Sequence, residues 1–156
     1  MKKTNAGRIL DRLGIDYQML EYAVDEADLS AEDAAKKMGK PLEQVFKTLV
    51  ARGDKTGVLI VSIPGGAELD LKALAKVSGN KKVEMVPLKE VQKLTGYPRG
   101  AVSPLGIKSA YPYYLDQSAY NFSSVIVSAG ARGVQIMLSP HDLVSALDAV
   151  TGDLAR

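Results

Sequence analysis

In the stretch Gln44-Val45-Phe46-Lys47-Thr48-Leu49-Val50-Ala51, one ammonium sits in a segment whose alternating faces are otherwise apolar. Val45, Leu49 and Ala51 share a face with Lys47, while Phe46 and Val50 occupy the other, as in an interior β-strand. A lysine there must reach an opening in the fold or lose its hydration at high cost. Two structural roles compete with a functional one: an edge charge that discourages aggregation, or a packed stem with a solvated head. A second candidate is Gly96-Tyr97-Pro98-Arg99-Gly100-Ala101-Val102-Ser103-Pro104-Leu105-Gly106, a constrained, irregular loop. Its glycines permit positive φ, so consecutive backbone N–H groups could line a concavity for an oxyanion or phosphate. A plain crossover loop is the structural alternative. The stretch Ser128-Ala129-Gly130-Ala131-Arg132-Gly133 carries the same pair of readings, with a hairpin turn as the simpler one.

Other chemistry is excluded by what the chain lacks. With one histidine and no cysteine, it has no Cys/His nucleophilic pair, no disulfide and none of the common zinc sites. His141 falls in the first turn of a surface helix. Ser62-Ile63-Pro64-Gly65-Gly66 has neither the spacing nor the following lysine of a phosphate loop. The carboxylates are scattered, so neither a metal nor a cofactor is expected. With 156 residues, 46% hydrophobic and 24% charged, the chain reads as one globular domain over 1–156. No apolar run approaches the roughly 20 residues of a membrane span, and no membrane association is expected. The basic start Met1-Lys2-Lys3-Thr4-Asn5 leads into a charged amphipathic segment instead of a signal core, and the absence of cysteine is compatible with a reducing cytoplasm, the expected location. A net charge of +2 does not announce a nucleic-acid protein. Lysines nevertheless cluster at 36–40, 72–82 and 89–108, where a shared face could meet phosphates or simply solvent.

The elements that must position these groups follow from caps and periodicity. Thr4 starts a helix to Leu13 with Gly14 as its stop, and residues 16–22 form a strand. Ser30 and Asp33 open a helix that Gly39 ends, and Pro41 begins a short helical turn leading into the Lys47 strand. Turn chemistry at Gly53-Asp54-Lys55-Thr56-Gly57 pairs that strand with residues 58–63 as a hairpin. A helix from Asp70 to Gly79, a strand over 82–86, a helix from Pro87 and a strand near Tyr113-Tyr114-Leu115 come next. Residues 124–129 and 134–138 make a second hairpin. Ser139-Pro140-His141-Asp142 starts a final helix expected to end near Gly152. The resulting fold class is α+β: a mixed, largely antiparallel sheet, curled or a partial barrel, surrounded by short helices.

The order of Val45-Phe46-Lys47-Thr48-Leu49, Leu69-Asp70-Leu71-Lys72, Lys81-Lys82-Val83-Glu84-Met85, the 96–106 loop and Ser128-Ala129-Gly130-Ala131-Arg132-Gly133 resembles the YbaK/EbsC family over nearly the whole chain. That resemblance implies a freestanding aminoacyl-tRNA deacylase related to the editing domain of bacterial prolyl-tRNA synthetases. Its YbaK branch, the most similar, removes cysteine from mischarged tRNA(Pro). Lys47 matches the family's functional lysine, thought to position the terminal adenosine and phosphate without acting as nucleophile. Tyr22 and Gly100 join it as expected catalytic residues. Thr48, Leu29, Pro104, Gly106, Ser128, Gly130 and Gln135 are expected to contact substrate. The chain departs from the branch at Gln135, where relatives usually carry aspartate, and near Leu29, where they often carry an aromatic residue. The mechanism implied is substrate-assisted, with the cysteinyl thiol attacking its own ester; this suits a chain without a nucleophile of its own. Expected partners are misacylated tRNA, with tRNA(Pro) foremost, and a transient complex with prolyl-tRNA synthetase. Competing readings are a deacylase for alanine or serine on tRNA and a non-catalytic module that holds a tRNA end or nucleotide.

Overall fold

Thr4, Ser30 and Asp70 each offer a side-chain oxygen to a backbone N–H in the first turn of the helix that follows: α1 (Asn5–Leu13), α2 (Ala31–Met38) and α3 (Leu71–Ser78). Gly14, Gly39 and Gly79 end them in the left-handed region. The structure, a computed structural model, describes residues 3–156, so Met1 and Lys2 of the basic start lie outside the described residues. Pro87 precedes α4 (Leu88–Thr95), and Ser139 caps α5 (Pro140–Leu147).

The last helix stops at Leu147 and does not run to Gly152 as the sequence suggested. Asp148 turns the chain at φ 52° and ψ 47°, a left-handed conformation that ends the helix. Residues Val150–Gly152 become a short strand that finds an open sheet edge. β-branched Val150 and Thr151 suit that extended form better than another helical turn.

The strands are β1 (Tyr17–Glu21), β2 (Phe46–Gly53), β3 (Gly57–Pro64), β4 (Val83–Met85), β5 (Tyr113–Asp116), β6 (Val125–Ala131), β7 (Val134–Leu138) and β8 (Val150–Gly152). Both expected hairpins form, β2 with β3 and β6 with β7. The α+β class holds, and antiparallel pairs predominate, with β3–β5 and β5–β8 parallel. The single curled sheet is in fact two: a three-stranded sheet in the order β1-β7-β6 and a five-stranded sheet in the order β4-β2-β3-β5-β8. A parallel bridge between Val45 and Ile126 links them, and the described strands do not close a barrel.

Three apolar clusters hold this arrangement. The largest joins Val125, Val127, Ile136 and Leu138 of the smaller sheet to Phe46, Val50, Ile60 and Leu115 of the larger one, with Leu10 and Leu143 from α1 and α5. On the other face of the larger sheet, Leu59, Val61 and Ile63 pack with Leu74 and Ala75 of α3. The third cluster sets Ala35 of α2 on Val45 and Ile126. Fully burying one such aliphatic side chain contributes on the order of 1.5–3 kcal/mol. The bridge is therefore clamped by α2 at the point where the two sheets meet.

Candidate active site

Beyond the Val45–Ile126 bridge, β2 and β6 part, and β4 pairs with β2 only at Ala51, Arg52 and Gly53. Two residues past the bridge stand Lys47 on β2 and Ser128 on β6. Between the parting strands lies a cavity of about 110 Å³. β2 and the residue before it supply Val45, Phe46, Lys47 and Thr48, and the smaller sheet supplies Ser128 and Gln135. The start of α2 adds Leu29, Ser30, Ala31 and Ala34; Tyr22, Gly100 and Val102 complete the lining. Lys47 is half-buried and makes no hydrogen bond or ion pair with the other described residues. The opening that an ammonium in an apolar strand requires is this cavity.

Ser128 and Gln135 are register partners on the β6–β7 hairpin, on the face that meets α2. Gln135 is only 7% exposed, and its Nε2 donates to the Tyr22 hydroxyl at 3.4 Å, a long contact. Ser128 Oγ accepts from the Gly130 N–H at 3.1 Å, at the β-bulge that ends regular pairing. Thr48 Oγ1 shares a 2.8 Å hydrogen bond with Ser62 Oγ on β3.

Gly100 has φ +81°, and a Cβ there would lie 3.0 Å from Leu29 Cβ, so the loop meets the approach to α2 through a position that favours glycine. The N–H groups of Gly100 and Val102, both at the cavity, donate to no acceptor among the described residues. The loop's far end is fixed from within: the Tyr97 hydroxyl donates to the Leu105 carbonyl, and Ser103 Oγ accepts from the Leu105 N–H. Burial pushes the Tyr97 phenol above its ordinary value, so it stays a donor. Arg132 ties the rim together, its Nε donating to the Arg99 carbonyl at 2.9 Å and its Nη1 pairing with Glu26 at 2.8 Å.

Lys47, Tyr22, Gly100, Thr48, Leu29, Ser128 and Gln135 thus converge from separate segments. Pro104, Gly106 and Gly130 do not join them. Pro104 and Gly106 line a different cavity with Ile60, Tyr111 and Tyr113. Gly106 is also packed too tightly for a side chain, since a Cβ would meet Asn5 Nδ2 at 2.5 Å. At Gly130, φ is +97° and a Cβ would fall 2.6 Å from Tyr97 Cε1, so its glycine serves loop packing. Sequence reasoning missed Ser30, Ala31, Ala34 and Val102. The small residues at 31 and 34, one helical turn apart, were the available signal for a close approach on α2. Among the described residues no group of histidines and carboxylates could hold a metal ion. No helix among them is long and apolar enough to cross a membrane.

Residues 25–146 match the family model described as the aminoacyl-tRNA editing domain. The chain is 49% identical over 144 residues to the Enterococcus faecalis protein named "Putative Cys-tRNA(Pro)/Cys-tRNA(Cys) deacylase EbsC", covering 92% of this chain and 88% of that one. It is 32% identical over 103 residues to a proline–tRNA ligase of Sulfurihydrogenibium, 66% of this chain but 18% of the ligase. A solved structure described as "a putative trans-editing enzyme for prolyl tRNA synthetase" superposes with a TM-score of 0.81 at 25% identity, covering 100% of this chain and 99% of that one. With most of its length inside the editing-domain model and a relative this similar end to end, the chain belongs to the aminoacyl-tRNA editing domain family, the YbaK/EbsC family that its motifs resemble.

Proposed function

We propose that the protein is a trans-editing hydrolase that cleaves the ester of misacylated tRNA, with Cys-tRNA(Pro) as its principal substrate. The observation that carries this reading is the convergence of Lys47, Tyr22, Gly100, Thr48, Leu29, Ser128 and Gln135 on one small cavity. The name of the E. faecalis relative and the likeness to proline–tRNA ligases support the choice of cysteine and tRNA(Pro). The partner is tRNA in the cytoplasm, met free or in transient complex with prolyl-tRNA synthetase.

In this scheme Lys47 holds the terminal adenosine and its phosphate, and the small cavity receives the aminoacyl group. The cysteinyl sulfur attacks its own carbonyl carbon. The ester C–O bond then breaks, the thiol proton passes to the departing ribose oxygen, and a cyclic thioester is left for water to open. Orientation replaces a protein nucleophile here, because holding sulfur and carbonyl together removes much of the entropic barrier. The N–H groups of Gly100 and Val102, which have no acceptor among the described residues, are suited to the negative charge that develops on the carbonyl oxygen. In the same scheme Gln135 accepts from the substrate's α-ammonium through its side-chain oxygen.

Purified protein incubated with Cys-, Ala-, Ser- and Pro-charged tRNA(Pro) tests the reading. Release of cysteine faster than the others is expected. Preferred release of alanine or serine would reassign the substrate, and turnover of none would leave a binding module.

A further inference from the structure

Ser62 lies deep behind the cavity and belongs to none of the segments expected to touch substrate. It is 0% exposed, in a strand whose other residues from Val58 to Ile63 are all apolar. A buried hydroxyl in such surroundings costs stability unless it is hydrogen-bonded. Its partner is Thr48, directly opposite in the β2–β3 register, with 2.8 Å between the two oxygens. Thr48 itself lines the cavity. The Tyr113 hydroxyl on the neighbouring strand β5 is buried and makes no hydrogen bond among the described residues, so among them the Ser62 hydroxyl is held by Thr48 alone.

We infer that Ser62 is a positioning residue that holds the Thr48 hydroxyl in one orientation at the cavity. The inference deepens the deacylase reading and rests on it. Either oxygen can donate in the Thr48–Ser62 bond, and in both cases the bond fixes the Thr48 side chain in one rotamer. A threonine hydroxyl has one donor and two acceptor positions, so the bond to Ser62 leaves the Thr48 oxygen able to meet the substrate as well. No bond other than hydrogen bonds changes. A threonine free to choose its rotamer would present its methyl group to the cavity part of the time, so Ser62 contributes orientation.

A double-mutant cycle on Ser62→Ala and Thr48→Val, read in steady-state deacylation, tests this. Losing one oriented hydrogen bond should lower kcat about five- to ten-fold in Ser62→Ala with KM little changed. The same substitution should then have almost no further effect in Thr48→Val. Three-bond couplings to the Thr48 methyl should report one χ1 rotamer in the wild type and averaging in Ser62→Ala. Both readouts differ from those of a structural serine, whose loss would lower Tm and add independently to Thr48→Val. A Ser62→Ala protein with unchanged kcat, or a cycle in which the two effects add, overturns the inference while the deacylase reading stands. A wild type that releases no amino acid from any misacylated tRNA overturns the deacylase reading itself. In that event an unchanged Thr48 rotamer in Ser62→Ala refutes the positioning role separately.

Discussion

At the scale of single residues, what distinguishes the site is polar groups in apolar settings. Lys47 has no counter-ion among the described residues, so its substitution leaves no buried charge behind among them. Lys47→Ala should therefore keep Tm close to the wild type while deacylation falls by at least about a hundred-fold, the loss typical of one preorganised charge contact. Gln135→Asp restores the carboxylate of the YbaK branch. A charge-assisted contact to the substrate ammonium should lower KM by about five-fold and leave the ratio of cysteine to alanine release unchanged. A switch of preferred amino acid would instead make residue 135 a specificity determinant. Gly100→Ala would force a side chain into a left-handed backbone and against Leu29, and should cost both stability and activity.

At the scale of elements, the site exists because the 96–106 loop and the start of α2 meet β2 and the β6–β7 hairpin where two sheets diverge. Arg132 links the 96–106 loop to Glu26, and Arg132→Ala should speed amide hydrogen exchange at residues 99–102. The ion pair is exposed, so its contribution to global stability is small, about 0–1 kcal/mol. Asp148→Gly would relieve a left-handed backbone and should raise stability by about 0.5–1 kcal/mol in chemical denaturation. The same elements mark what the sequence could reveal. The caps at Thr4, Ser30 and Asp70 were legible because each bond spans three residues. β8 was not, because a three-residue strand is defined by an edge on β5 more than thirty residues away. Lys47 stood out against its apolar neighbours, whereas Ser62 looked like any strand serine until register set it opposite Thr48. Gly100, Gly106 and Gly130 look alike in sequence; only the contacts show that the first borders the cavity while the others make room for Asn5 and Tyr97.

At the scale of the molecule, the net charge of +2 limits how the protein meets tRNA. Binding should be weak and only moderately sensitive to salt. A slope of log K against log salt near −2 would correspond to roughly three phosphate contacts with a single-stranded end. A salt-independent affinity would mean that the aminoacyl-adenosine is recognised alone. The fold brings a lysine, two amide donors without an acceptor among the described residues and a buried glutamine to one opening, and the proposed mechanism leaves nucleophilic attack to the substrate. The central claim is that this opening is where the ester is cleaved. The most direct measurement is release of cysteine from Cys-tRNA(Pro) by the wild type and Lys47→Ala, with circular dichroism confirming that both are folded. Rapid release by the wild type and background release by the folded variant are expected. Equal rates in both would place the chemistry elsewhere.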